Sequence, residues 1–188
     1  SKNNKWGIVD AKNKLIIPTE HDTIYKHAEA DLFFVGKAQA DKRIKYALYN
    51  GKDKLCTDFI FNSGVMETVI MFDMETFEEY EVPAVRFPGD ISNDNSVILL
   101  QNDKFVVYNL NGQPIIATPY QKIRYLTPDI ANSAFVVTND KAQIAFFAPD
   151  GKPVSEFIYN FFDVNTSSAV KLDGTSVKIN EKGQEVKE

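Results

Sequence analysis

The sequence predicts an all-β protein made of about five degenerate copies of one antiparallel β-meander unit of roughly 40 residues. Three observations carry this expectation. A turn-like frame recurs along the chain, short apolar strands precede it, and a planar side chain follows it at one fixed offset. Composition agrees, because the 188 residues include 14 Phe, 8 Tyr and 1 Trp, and aromatic residues suit pleated, half-buried surfaces.

The frame opens at Asp10-Ala-Lys-Asn13 and recurs at Asn50-Gly-Lys-Asp53, Asn109-Leu-Asn-Gly112, Ala148-Pro-Asp-Gly151 and Asn180-Glu-Lys-Gly183. Its fourth position is always Asn, Asp or Gly, the types that best tolerate the positive φ required by short hairpin loops. The four residues before the frame read Trp6-Gly7-Ile8-Val9, Tyr46-Ala-Leu-Tyr49, Phe105-Val-Val-Tyr108, Ile144-Ala-Phe-Phe147 and Ser176-Val-Lys-Ile179. Runs this short and this apolar are strands buried on both faces. Eleven residues after each frame begins stands His21, Phe61, Tyr120 or Tyr159. These residues define one slot for a flat side chain, expected to pack beneath its own unit's first strand, against the residues aligned with Ile8, Leu48, Val107 and Phe146.

The frame advances by 40, 59, 39 and 32 residues, and the ring slot advances by the same 40, 59 and 39. Two features sharing one irregular set of steps mark a true internal repeat. The expected units are 1–40, 41–66, 67–101, 102–140, 141–173 and a half-unit 174–188, all in one domain. The long step is read as a worn repeat around Asp73 and Thr76, with a plain hairpin insertion as the alternative. Further strands fall at Leu32–Val35 and Ala134–Thr138, and helix is expected to be nearly absent. The units could close as a small propeller-like ring or lie open as a curved β-solenoid. Pairing of the final half-unit with the unit begun at Trp6 would favour closure.

Lys5-Trp6-Gly7-Ile8-Val9-Asp10, followed by Leu15-Ile16-Ile17-Pro18, resembles the opening of the bacterial WG (KWG) repeat family. Ile115-Ile116-Ala-Thr-Pro119-Tyr120 is similar to that family's closing segment, while the later units carry Tyr46-Ala47, Phe105-Val106 and Ile144-Ala145 in place of Trp-Gly. The resemblance implies a bacterial multi-repeat binding protein, exported or at the cell surface rather than cytoplasmic, and it supplies no catalytic residues. Ser1 in place of an initiator Met leaves a processed start open.

Charge restricts the partners. With 21 basic against 26 acidic residues, net −5, the chain lacks the basic cluster that a phosphate backbone demands, so nucleic acid is not expected. No apolar run approaches the roughly 18 residues of a membrane-spanning helix, so membrane insertion is not expected either.

Few residues could carry catalysis. Cys56 occupies the position of Ile16, Ile115 and Val154 and is expected to be a buried structural thiol. His21 belongs to the ring slot, and His27 reads as a surface residue in a polar link. Asp90-Ile-Ser-Asn-Asp-Asn95-Ser96 looks like a calcium loop but has Asn95 at the sixth position and Gln101 at the twelfth, where the loop needs Gly and a bidentate acid. Glu79 and Glu81 share one strand face about 7 Å apart, a spacing open to glycoside hydrolysis and equally to a charged strand that discourages aggregation. The expected function is therefore a non-catalytic binding or scaffolding module that recognises a protein or a glycan. The alternative is a carbohydrate-active enzyme using that carboxylate pair. No cofactor or metal is expected.

Overall fold

The computed structural model describes residues 4–27, 30–51, 54–62, 65–72, 79–86, 92–127 and 132–186; in 65–72 and 79–86 it describes the backbone. The described residues form antiparallel β-structure and contain no helix. The first unit holds β1 (Trp6–Val9), β2 (Leu15–His21), β3 (Thr23–Lys26) and β4 (Leu32–Ala38). The second begins with β5 (Ile44–Asn50), β6 (Lys54–Leu55) and β7 (Phe61–Asn62). After the inserted β8 (Val65–Phe72) and β9 (Glu79–Arg86), it closes with β10 (Ser96–Gln101). The third is β11 (Lys104–Asn109), β12 (Pro114–Tyr120), β13 (Lys122–Tyr125) and β14 (Phe135–Thr138). The fourth is β15 (Ile144–Phe147), β16 (Tyr159–Asp163) and β17 (Ser168–Lys171), and β18 (Ser176–Ile179) with β19 (Glu185–Val186) begins a fifth.

One rule joins the units. The last strand of each pairs antiparallel with the first strand of the next, giving β4–β5, β10–β11, β14–β15 and β17–β18. In the first and third units the long extended segment serves two sheets. In the first unit it pairs with β1 as β2 and, past Asp22, with β4 as β3; in the third it changes sheets at Gln121. Asp22 holds the first break. Its backbone N–H donates to Gly36 O at 2.9 Å, and its carboxylate accepts the Ala38 N–H at 2.8 Å and the Lys5 ammonium.

Joining strands other than β17 and β18 bury both faces, as their apolar sequences require. Alternate residues of β4 enter different cores, Phe33 and Val35 one and Leu32 and Phe34 the next. Val106 and Tyr108 likewise face away from Val107, and Ala145 and Phe147 away from Phe146. Hairpin layers and apolar cores therefore alternate in a line, and period-2 side-chain placement dictates that order.

Among the described strands, β19 pairs with β18 and β1 with β2, so the final half-unit does not close onto the first. The arrangement is an open β-meander stack and not a ring. Odd and even units differ at the second strand. Ile17 and Ile116 pair with Ile8 and Val107, each between register shifts, whereas Thr57 and Ser155 stand at that position in even units. Their hydroxyls each accept a backbone N–H at 3.0 Å, from Leu48 and Phe146, where the ladder is interrupted. The 59-residue step contains the hairpin alternative: β8 and β9 pair in unbroken register from Val65↔Arg86 to Phe72↔Glu79 as a sheet of their own. Asp73 and Thr76 lie outside the described residues.

Candidate interaction surface

The frame turns share one geometry. The N–H of the fourth residue donates to the carbonyl of the first, and the N–H of the first donates to the carbonyl of the fifth, at 10–14, 109–113, 148–152 and 180–184. Asn13, Gly112, Gly151 and Gly183 have φ of 59°, 77°, 82° and 78°. Asp53 lies outside the described residues. This is a type I turn closed by one left-handed residue.

The same turn also appears at 39–43, 139–143 and 171–175, where Lys42, Ala142 and Gly174 take φ of 66°, 59° and 88°. All seven are capped by a side chain in one of two ways. Asp10, Asn109, Asn139 and Asn180, at the first position, each accept two backbone N–H groups at 2.8–3.0 Å through Oδ1. Where the first residue is Gln39, Ala148 or Lys171, an acid two places on accepts the closing N–H instead: Asp41, Asp150 or Asp173. The cap therefore has two interchangeable sites, a local side-chain-to-backbone bond available only to short polar residues.

The ring slot is equivalent in register. His21, Phe61, Tyr120 and Tyr159 stand opposite Trp6, Tyr46, Phe105 and Ile144, the first residues of their units. Its packing is both within the unit and beyond it, since Phe61 shares a core with Leu48 and Tyr120 packs against the core that holds Val107. His21 meets Tyr49 with ring centroids 5.9 Å apart, Phe61 meets Tyr108 at 5.4 Å, and Tyr120 meets Phe147 at 5.7 Å. Each of these partners is the fourth residue of the next unit's first strand. Tyr159 touches Phe146 of its own unit at 5.2 Å, and its core also includes Ile179 of the next. The slot thus packs on its own unit and on the seam to the next. A second ring recurs with it, since His21 also stacks on Phe59 and Tyr120 lies tilted against Phe157.

Frame glycines lie on the same seam. A Cβ on Gly112 would fall 2.5 Å from Cys56 Sγ, one on Gly151 would overlap Ile115 O, and one on Gly183 would fall 2.8 Å from Phe146 Cβ. Gly7 is excluded from larger residues by its own unit, because a Cβ there would lie 2.6 Å from Ile17 O.

Several candidate residues are placed differently from expectation. Cys56 is half-buried, with Sγ 3.8 Å from Asn111 O, and is not sealed in the core. His27 is buried, its N–H bonded to Leu32 O at 2.8 Å, where a surface residue was expected. His21 is buried and neither ring nitrogen has a hydrogen-bond partner. Desolvation lowers its pKa, with Glu20 opposing that shift. Trp6 is 53% exposed, although the aligned Tyr46 is 2% exposed. Asn93 Oδ1 accepts the backbone N–H groups of Asn95 and Ser96 at 3.0 and 2.9 Å, which makes this stretch a polar turn. Glu79 and Glu81 pair with Phe72 and Ile70 on β9, and their side chains lie outside the described residues.

Two grooves follow the unit boundaries. One, of about 480 Å³, is lined by Asp31, Asn50, Gly51, Leu110, Asn111 and Gln113. The other, of about 410 Å³, runs between Val154, Glu156 and Tyr159 on one side and Gly183 and Glu185 on the other. Inside it Tyr159 Oη donates to Glu185 Oε1 at 2.8 Å and Lys171 Nζ to Oε2 at 3.0 Å. Lys171 and then Tyr159 hold the Glu185 carboxyl below the usual range, and burial followed by the carboxylate raises the Tyr159 phenol. Such a clasp keeps the carboxylate charged and the phenol protonated, the reverse of a group poised to exchange protons near neutral pH. Among the described residues no group of three or more His, Cys, Asp or Glu side chains could hold a metal, and no helix is long and apolar enough to cross a membrane.

Among the described residues the large exposed apolar side chains are Trp6, Val9, Leu15, Tyr25 and Leu55 in the first two units and Phe161, Val164, Leu172 and Val186 in the fourth and fifth. Exposed apolar residues scattered in this way are ordinary. No family model matches the chain, and no curated protein shows significant similarity to it.

Proposed function

We propose that the protein is a non-catalytic binding module that holds a polypeptide partner. The resemblance of Lys5-Trp6-Gly7 to WG repeats supports a binding role, and repeats that stack in a line offer extended surfaces. One observation carries the choice of a protein over a glycan. Nine large apolar side chains stand exposed among the described residues, and polypeptide partners bury such side chains whereas sugar recognition needs convergent polar groups.

Selection of phage-displayed peptides against the immobilised protein, beside a glycan array and a hydrolysis assay on β-glycans, tests this reading. Enrichment of apolar peptides with no turnover is expected. Glycoside turnover that disappears in Glu79→Gln would overturn it and favour a carbohydrate-active enzyme.

A further inference from the structure

We propose that His21 is a proton-operated latch between the first and second units. Protonation of its imidazole opens the seam that the ring fills, while the later seams of the stack stay closed.

The slot is a packing position in each unit, and in this one alone it holds a side chain that titrates near neutral pH. His21 is 2% exposed, stacks on Phe59 and meets Tyr49 edge-on, and both partners belong to the second unit. Neither ring nitrogen has a hydrogen-bond partner. A neutral imidazole leaves one donor and one acceptor unmet, whereas an imidazolium leaves two donors and a full charge. Burying an unpaired charge costs far more than burying an unpaired polar group, so the closed seam holds the neutral ring and rejects the charged one. The equivalent slots lack this sensitivity. Phe61 has no ionisable group, and burial raises the phenols of Tyr120 and Tyr159 above the ordinary value of 10.

The groups around the ring do not supply the missing partner. Glu20 and Asp22 flank it on its own segment and favour the charged form, but neither carboxylate bonds to the ring. Asp22 is engaged by the Lys5 ammonium and the Ala38 N–H. Lys5, ahead of β1, and Lys37, on β4, both disfavour the charged form, and Trp6, opposite His21 on β1, carries no charge. From the second unit the ring faces the Tyr49 phenol, which burial and then Glu20 hold protonated. It also faces the uncharged Phe59, whose ring centroid lies 5.8 Å from Lys37 Nζ. An opened seam lets water meet both nitrogens. The open form then takes up its proton near pH 6.5 and the closed form only at lower pH, so opening is favoured as pH falls. The gain is at most about tenfold per pH unit and ends at the closed form's own pKa.

Hydrogen exchange of the whole chain tests the latch, followed by mass spectrometry at about pH 7.5 and about pH 5 and corrected for the intrinsic pH dependence of exchange. Protection at residues 15–21 and 46–50 should fall about tenfold, while protection at 96–109 stays within about twofold. The fall should vanish in His21→Phe and persist in His27→Gln, which removes the other histidine. No fall, an equal fall along the whole stack, a fall retained in His21→Phe or one lost in His27→Gln would each overturn the proposal. Proton NMR of the wild type keeps the test independent of the variants. One histidine resonance should titrate with a midpoint below 6.5, and midpoints at or above that value for both histidines would also overturn it.

Discussion

Two rows of turns in this molecule share a backbone and differ in their neighbours. At 109–113, 148–152 and 180–184 the left-handed position holds Gly112, Gly151 or Gly183, each pressed against another unit. At 39–43, 139–143 and 171–175 it holds Lys42, Ala142 or Gly174, all exposed, and a Cβ on Gly174 would meet nothing within 4 Å. Asn13 decides what the difference means. It belongs to the first row by sequence, but its turn is exposed, and there the side chain is tolerated. Positive φ alone therefore does not select glycine in this protein. Close approach at the seam does.

The seam should carry the largest energies. Phe61 is fully buried against Tyr108 across a unit boundary, while Phe161 is 56% exposed. Phe61→Ala is expected to cost about 3–5 kcal/mol, the range for a large buried aromatic. Phe161→Ala should stay within about 0.5 kcal/mol, as for an exposed site. Urea denaturation of both variants measures the gap, and similar losses would mean that the seam is not where stability resides.

Glycine substitution sharpens the contrast within one backbone conformation. Gly174→Ala introduces only the left-handed penalty, roughly 1–2 kcal/mol. Gly151→Ala adds a steric overlap with Ile115 O, a backbone atom with little room to yield, for a total of about 2–5 kcal/mol. Equal losses in paired denaturation curves would show that φ, and not contact, governs the first row.

Much of this was legible in the residues. The frame, its positive-φ positions and the ring slot could be read because a turn and a register are local properties that each copy repeats. The left-handed positions of the second row could not be read because Lys42 and Ala142 are not residues that announce that conformation. Its actual signal was the cap, Asp41, Asn139 or Asp173, which serves from two different positions. The ring's partner lay beyond local reading, since nothing within one unit says which neighbour it will face. Even so, aromatic residues at Tyr49, Tyr108 and Phe147 recur in step with the slot. His27 was misplaced because its polar flanks say nothing about burial by a neighbouring strand. The distinction between ring and line depends on how layers twist through space, which pattern does not encode.

His21 allows the seam to be probed by pH. Desolvation lowers its folded pKa below the ordinary value of 6.5 despite Glu20 and Asp22, while Lys37 and Lys5 add to the lowering. The unfolded chain then binds the proton first, so stability rises with pH and is lost as pH falls through about 6.5 toward the folded value. Melting temperature should decline from about pH 7 to about pH 5 more steeply in wild type than in His21→Phe, which removes this titration and restores an aromatic ring to the slot. Identical slopes would remove His21 from the acid sensitivity of the fold.

The smallest expected effect tests the outer row from the opposite direction. Ala142 holds φ of 59° at an exposed turn whose backbone bonds are made, Ala142 N–H to Asn139 O at 3.0 Å, and whose cap is filled by Asn139. Glycine there would relieve the roughly 1–2 kcal/mol cost of a Cβ in the left-handed region. Against this, the unfolded chain gains about 0.5–1 kcal/mol of conformational freedom. Ala142→Gly should therefore stabilise the protein by about 0–1.5 kcal/mol, and no contact term opposes it because the turn faces solvent. A two-state denaturation curve read at its midpoint resolves a change of this size. Destabilisation beyond about 0.5 kcal/mol would mean that the Ala142 methyl packs against something, and the two rows would then differ only in which residues press on them.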